Sequence, residues 1–134
     1  MSLRREREIL VSGLAKALKD LKGFELRAVA LGGASRKPWT VAGFTPDVIA
    51  YDPIEQLLQL GDVITEEDLS SSHIEEKLLA HTRLVMQTGG SKGKRVPLHV
   101  AVSVDNEEVL DELLGMLKME DRVKVWTTGQ VVAC

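Results

Sequence analysis

The chain of 134 residues is poor in cysteine, with a single one, Cys134, as its last residue. No disulfide framework can form within the chain, because each disulfide needs two sulfur atoms. Proteins of oxidising compartments commonly rely on such frameworks, so the sequence favours an intracellular, cytoplasmic protein. Cysteine and histidine also nowhere take the spacing of a zinc site, which argues against zinc.

Long apolar runs and a strong positive charge are missing as well. The apolar stretches are far shorter than the roughly 20 residues that span a membrane. The opening "MSLRRERE" has no apolar signal-peptide segment, so we expect no membrane partner. The net charge of −3 lacks the basic excess of a tight non-specific nucleic-acid binder, although a local basic patch would suffice for binding.

What remains has the length and composition of one globular domain, expected to cover residues 1–134. Hydrophobic residues make up 44% of the chain and charged residues 28%, which is ordinary for a soluble protein. Neither a repeat nor a linker divides it. Leucines at helical spacing predict a first helix over residues 3–22, with Leu21 on its apolar face and Gly23 ending it.

The remaining patterns predict the element order α-β-β-β-α-β-α-β. Thr65 and Asp68 predict a capping box at the start of the second helix. Neighbouring early strands can pair antiparallel through short turns, whereas helices join the last strands as parallel crossovers. We therefore predict the α/β class, a mixed central sheet flanked by helices. The expected strands are 24–31, 46–52, 56–64, 98–104 and 122–128, and the later helices are 65–86, with room for a break at "SSS", and 105–119.

Two aspartates stand at the ends of neighbouring predicted strands. Asp47 enters the strand "PDVIAYD", and Asp62 leaves the strand "QLLQLGDVI". A turn centred near residues 53–55 would place Asp47 opposite residue 61 or 62. Two carboxylates with water molecules suit Mg²⁺, which can lower the pKa of bound water and neutralise a phosphate. The alternative is that both aspartates simply end strands, where this residue is common.

The sequence Pro46-Asp47, followed by a strand, a turn and a strand ending in an acidic residue, resembles the PD-(D/E)XK nuclease, or restriction-endonuclease-like, superfamily. The predicted order α-β-β-β-α-β is similar to the core of that superfamily, over about residues 5–105. The resemblance implies this core with an extra C-terminal helix and strand. It further implies a Mg²⁺-dependent endonuclease that hydrolyses DNA phosphodiesters, with Asp47 and Asp62 as catalytic metal ligands.

The resemblance fails at the lysine of the motif, because this position is Ile64 in "GDVIT". In the family that lysine is thought to activate the attacking water and steady the phosphate, and isoleucine has neither charge nor donor. Lys77 lies on the following helix at the spacing of His73 and His81, and can reach the strand ends from there. Lys77 is therefore the candidate replacement, with a solvated helix lysine as the alternative.

Other residues offer weaker candidates. Trp39 can stack on a base or pack in the core, and core packing is the expectation. Glu6 can supply a third carboxylate or be a surface charge. A nucleic-acid backbone can be held by the basic residues of two loops, which otherwise serve solubility: Arg36, Lys37, Lys92, Lys94 and Arg95.

The histidines do not form a metal site by spacing. His73 and His81 are eight residues apart on one predicted helix, about 12 Å, so they cannot share one ion. We expect both to lie on the helix face or beside an N-cap, and we expect His99 to be half-buried in a strand.

Three hypotheses follow. The chain is a metal-dependent nuclease or a subunit of one. Alternatively, it is an inactive descendant of that fold that binds nucleic acid or a protein. The third reading is an unrelated α/β binding or assembly domain. The sequence leaves open whether DNA or RNA is bound, and whether a homodimer or a larger complex forms.

Overall fold

A computed structural model describes residues 3–127 of the chain. The elements follow the predicted order, with the second helix divided in two. They are α1 (Leu3–Asp20), β1 (Glu25–Val29), β2 (Val48–Asp52), β3 (Leu57–Ile64), α2 (Glu66–Leu69), α3 (His73–Thr82), β4 (Leu98–Val102), a 3-10 turn (Val104–Asn106), α4 (Glu107–Met116) and β5 (Val123–Thr127). Cys134 and the end of the last predicted strand lie outside the described residues.

The strands form one five-stranded sheet in the order β1-β2-β3-β4-β5. Strands β1, β2 and β3 pair antiparallel, while β3, β4 and β5 pair parallel. Each parallel connection contains a helix, because the chain must cross back to the end where the previous strand began before the next strand can run in the same direction. The predicted α/β class with a mixed sheet is therefore confirmed. Within residues 3–127, no helix has the length and apolar character to cross a membrane.

Helix α1 covers one face of the sheet. Its leucines Leu10, Leu14 and Leu18 are at most 1% exposed and pack against β2, β3 and β4. Gly23 ends the helical segment with a φ of +72°, a conformation that glycine adopts without strain. Leu21 was assigned to the buried face, but it follows the last helical residue and is 68% exposed. The predicted apolar face was therefore one residue too long.

Helices α3 and α4 cover the opposite face. Ile74 and Leu78 of α3 and Leu110 of α4 belong to a buried cluster with Leu60 and Ile64 of β3. Because side chains alternate along a strand, Asp62 points to the same face as Leu60 and Ile64. The sheet therefore presents this aspartate to α3.

The second predicted helix begins with Thr65 as its N-cap and breaks at the serines as expected, and it differs from the expectation at its C-terminal end. The capping box is confirmed, since the Asp68 N–H donates to Thr65 Oγ1 at 3.3 Å and the Thr65 N–H donates to Asp68 Oδ2 at 2.9 Å. The helix breaks at Ser70–Ser72 and ends at Thr82 rather than Met86. Met86 is extended instead, because its N–H donates to the carbonyl of Lys94 at 2.8 Å.

His99 on β4 lies in a chain of buried hydrogen bonds. Trp126 Nε1–H donates to His99 Nδ1 at 3.0 Å, and His99 Nε2–H donates to Gln59 Oε1 at 2.8 Å. The side chain is fully buried, not half-buried as expected. Burial, helped by the charges of Lys124 and Lys22, lowers the pKa of His99 to about 3. This imidazole is therefore neutral in the folded protein.

Acid should destabilise the fold through His99. Below pH about 6.5 the unfolded chain protonates this side chain, whereas the folded protein keeps it neutral down to a pKa of about 3. Stability is therefore lost as the pH falls through that window, by up to about 1.4 kcal/mol per pH unit. The His99→Gln variant should lack this loss. In urea denaturation, the free energy of unfolding of the wild type should therefore exceed that of His99→Gln by less and less as the pH falls. An advantage independent of pH would contradict the prediction.

Candidate active site

The register of β2 and β3 sets Asp47 opposite Asp62. Val48 pairs with Gly61, and the Asp47 N–H donates to the carbonyl of Gly61 at 2.8 Å. The turn between Asp52 and Leu57 fixes this register. The expectation that Asp47 lies opposite residue 61 or 62 is confirmed.

Asp47 is buried and fixed by the neighbouring strand. Its Oδ2 accepts a hydrogen bond from the Val63 N–H at 2.8 Å, and its Oδ1 lies 3.4 Å from Arg7 Nη1. Burial raises the pKa of Asp47, with a smaller contribution from Asp62. The Lys77 ammonium, the Val63 N–H and Arg7 lower it without cancelling the rise. Asp47 therefore takes up a proton more readily than an ordinary aspartate.

Asp62 is fully buried and paired with His81, which is fully buried as well. His81 Nδ1 lies 2.6 Å from Asp62 Oδ2, and His81 Nε2 lies 3.1 Å from the carbonyl oxygens of both Val41 and Phe44. Carbonyl oxygens only accept hydrogen bonds, so Nε2 must carry a hydrogen. Nδ1 donates to the carboxylate, which makes the ring an imidazolium. His81 was expected only to lie on the helix face, and is instead the counter-charge of Asp62.

The environment of His81 favours this charged form. Burial alone lowers the pKa of His81, but the hydrogen bond and the charge of Asp62 raise it, helped by the carbonyls of Phe44 and Val41. The pKa of His81 is raised as a result. The structure thus compensates one buried carboxylate with one buried cation.

Lys77 extends its amine to both carboxylates. Its Nζ lies 3.9 Å from Asp47 Oδ2 and 3.7 Å from Asp62 Oδ1. Because Lys77 Nζ contacts both carboxylates, the distance between Asp47 Oδ2 and Asp62 Oδ1 is at most the sum of these two distances. Lys77 stands one helical turn before His81, so both side chains project to the same side of α3. Lys77 is therefore not the solvated helix lysine that the sequence left as the alternative.

Ile64, at the position of the motif lysine, is fully buried in the apolar cluster under α3 and α4. The β3 strand therefore supplies Asp62 but no amine. The amine comes from the helix that packs on that strand.

Arg7 of α1 was not singled out from the sequence. Its guanidinium contacts Asp47 and also hydrogen-bonds Asp68, the residue of the α2 capping box. Glu6, the α1 residue considered as a third carboxylate, lines a neighbouring cleft with Glu66 and Asp105. No sequence signal distinguishes Arg7 within "RRERE", because its role depends on how α1 passes the sheet.

A small cavity adjoins the Lys77 side chain. Its volume is about 90 Å³, enough for a few water molecules at roughly 30 Å³ each. It is lined by Phe44, Val63, Asp68, Ser71, His73, Ile74 and Lys77. Water and a small anionic group can therefore approach the Lys77 amine.

The carboxylate pair fits a Mg²⁺ ion by its chemistry. Asp62 Oδ1 is buried without a hydrogen-bond partner, and Mg²⁺ commonly takes one or two carboxylates and several waters. Between residues 3 and 127, no group of three or more His, Cys, Asp or Glu residues is placed to hold a metal. A cation would have to share its oxygens with the Lys77 ammonium, which weakens its binding by charge repulsion.

The basic loop at residues 88–97 is not near the aspartates. Ser91 Oγ donates to the carbonyl of Glu55 in the β2–β3 turn, so this loop lies at the far end of the hairpin. The five residues of β2, roughly 17 Å at 3.4 Å each, separate that turn from Asp47. Lys92, Lys94 and Arg95 therefore do not surround the carboxylates.

Comparison with known proteins supplies no relative: no family model and no curated protein matches this sequence, and no solved structure matches the fold at a significant level. The resemblance to the nuclease superfamily therefore stays a prediction made from the motif residues.

Removing His81 should strongly destabilise the protein. His81→Ala removes the hydrogen-bonded cation of Asp62 and leaves only the Lys77 ammonium at 3.7 Å, so we expect a cost of about 3 kcal/mol in free energy of unfolding. His73→Ala is the matched control, because His73 is exposed on the same helix and should change stability by less than about 0.5 kcal/mol. Urea denaturation at neutral pH measures both.

The pH dependence separates the charge of His81 from its packing. Because the pKa is raised in the folded protein, the stabilisation is complete below about pH 6.5 and is lost as the pH rises through the folded pKa. The wild-type advantage over His81→Ala should therefore decline with rising pH. An advantage that stays constant would mean that only packing was lost.

Proposed function

We propose that this chain is a metal-dependent phosphodiester hydrolase of the PD-(D/E)XK nuclease type, acting on DNA. The observation that carries the proposal is the position of Lys77 Nζ, 3.9 Å from Asp47 and 3.7 Å from Asp62. Two acids and a lysine are the side chains that the motif of this superfamily combines. Here α3 would supply the lysine that β3 lacks at Ile64.

The topology supports the same proposal. An N-terminal helix precedes three antiparallel strands, and a helical crossover leads to a parallel fourth strand. This order is similar to the α-β-β-β-α-β order expected of a restriction-endonuclease-like core. Helix α4 and strand β5 then form a C-terminal extension. Since a fold alone does not determine activity, the proposal depends on the side chains at the strand ends.

Each residue has a defined task in hydrolysis. A water oxygen attacks the phosphorus atom, one P–O ester bond breaks, and the leaving oxygen takes a proton. The Lys77 ammonium offers N–H donors to a phosphate oxygen or to the attacking water. The proton released by that water passes to solvent, which also supplies the proton of the leaving oxygen. Arg7, partly exposed beside Asp47, can neutralise the phosphate charge.

Asp47 and Asp62 would hold the metal ion. Bound Mg²⁺ would supply a lowered pKa of the attacking water and charge neutralisation at the phosphate. His81 acts as a positioning residue, because its bond to Asp62 Oδ2 leaves Oδ1 directed toward Lys77.

Cleavage assays with Mg²⁺ or Mn²⁺ on single-stranded and duplex DNA test the proposal. We expect wild-type cleavage, and at least a roughly hundredfold loss in Asp47→Asn and Lys77→Met, because removing one group that stabilises the developing charge commonly costs that much. Glu76→Gln and Lys16→Met, which change exposed side chains elsewhere, should retain activity. Absence of cleavage by the wild type with either metal, or full activity of Lys77→Met, would refute it.

Metal titration gives a readout that does not depend on activity. Lys77→Met should bind Mn²⁺ more tightly than the wild type in calorimetry, because an ammonium beside the same oxygens is removed. Asp62→Asn should bind it more weakly.

A second candidate is an inactive descendant of this fold that binds nucleic acid or a protein. It is favoured by the pairing of Asp62 with His81 and the contacts of Lys77 to both acids, which compensate the carboxylates without a metal. Ile64→Lys discriminates the two readings. If the wild type does not cut and this variant gains metal-dependent cleavage, the descendant is correct. Cleavage by the wild type rejects it.

A further inference from the structure

An apolar pocket of about 230 Å³ opens on the α3 face of the β2–β3 hairpin. Its floor is formed by Ile49, Leu58 and Leu60, and its walls include Trp39 and Val85. Trp39 was expected to pack in the core, but its side chain is 42% exposed, and Val85 is 38% exposed. We call this cavity the Trp39 pocket.

The two basic loops lie on either side of the Trp39 pocket. On one side, the Arg36 guanidinium stacks 5.0 Å from the centre of the Trp39 ring. On the other, Val85 pairs with Arg95, and the Met86 N–H donates to the carbonyl of Lys94 at 2.8 Å. All five basic residues of the two loops are exposed: Arg36, Lys37, Lys92, Lys94 and Arg95. Five of the 17 lysine and arginine residues of the chain thus lie in the loops beside an apolar cavity.

Both walls are fixed in place. Ser91 is buried and holds the 88–97 loop to the carbonyl of Glu55. On the opposite wall, His81 Nε2 hydrogen-bonds the carbonyls of Val41 and Phe44, beside Trp39. A ligand would therefore meet a pocket that is already formed, which reduces the entropy lost on binding.

We propose that the Trp39 pocket binds an unpaired nucleobase of a single-stranded nucleic acid, with the adjoining phosphates on the two basic loops. Stacking on an aromatic side chain accepts any base, and the lysines and arginines neutralise the backbone. The cavity is smaller than the about 300–1,000 Å³ that drug-sized ligands occupy, which suits a single ring. Gln87 and Thr88 also line it and offer polar groups to the edge of a base.

The charge around the pocket decides between occupants. An apolar peptide would leave the five cations unpaired, whereas a polyanion uses them, and a second copy of this chain is an outcome of the test below. The two carboxylates of the nearby turn, Asp52 and Glu55, reduce this positive charge without balancing the five cations, and Asp52 Oδ1 accepts from the N–H groups of Ile54 and Glu55. A base stacked within a duplex cannot enter, so the pocket selects single strands or unpaired ends.

This inference rests on the proposed function only where it names the substrate of the nuclease. Binding is measured by fluorescence anisotropy in EDTA, where metal-dependent cleavage cannot occur. The probes are a labelled oligothymidylate, a labelled oligouridylate, an abasic deoxyribose-phosphate chain of equal length, and a duplex. We expect the single strands to bind more tightly than the abasic chain and the duplex. Comparison of the first two distinguishes DNA from RNA.

Variants assign the contacts. Trp39→Ala should weaken binding of the single strands about tenfold, the value of one stacked base, and Trp39→Phe should retain most of it. Lys94→Gln and Arg95→Gln should each reduce the slope of log affinity against log salt by about 0.7. Two exposed residues elsewhere serve as controls, with Met116→Ala matching the tryptophan and Lys16→Gln matching the lysine.

Equal binding of the abasic chain, or unchanged affinity in Trp39→Ala, would overturn the proposal. So would a dimer that Trp39→Ala dissociates, because the pocket would then be a contact between copies. If Trp39-dependent binding persists in a protein that never cuts DNA, the pocket stands and the nuclease proposal fails. If Trp39→Ala cleaves DNA as well as the wild type does, the nuclease proposal stands and the proposal for the Trp39 pocket fails.

Discussion

The buried ion pair between Asp62 and His81 ties the structure together at the end of the β2–β3 hairpin. An isolated charge in this position would be strongly disfavoured, and the 2.6 Å contact compensates it. The same imidazole ring hydrogen-bonds the carbonyls of Val41 and Phe44, so it joins β3, α3 and the loop before β2. Because α3 is anchored through His81, the Lys77 side chain one turn earlier is directed to the carboxylates.

Three separate features of the fold therefore position the side chains of the site. Antiparallel register brings Asp47 to Asp62, helix packing brings Lys77 to both, and α1 brings Arg7 to the outer side of Asp47. The carboxylate pair faces the Lys77 amine, which also lines a water-sized cavity, and the proposed phosphodiester chemistry depends on this arrangement. The same cations also compensate the acids without a metal. The geometry of the carboxylates is therefore common to an active nuclease and to an inactive descendant, and the Ile64→Lys variant separates the two.

The two basic loops lie at another part of the molecule than the carboxylates. The loop that carries Lys92, Lys94 and Arg95 is attached to the β2–β3 turn, a strand length away from Asp47. These residues flank the Trp39 pocket instead. Substrate binding and chemistry would thus use different ends of one hairpin, so that they can be tested separately.

The sequence by itself determined the element order, the mixed sheet and the alignment of Asp47 with Asp62. These follow from local periodicity, turn chemistry and the symmetry of an antiparallel hairpin, which act over short stretches of chain. It also placed Lys77 and His81 on one helix face, but not what that face touches. The end of α3, the burial of His81, the contact of Arg7 and the exposure of Trp39 were decided only by tertiary structure. Each depends on how segments distant in the chain pack together, and local sequence carries no signal of that packing.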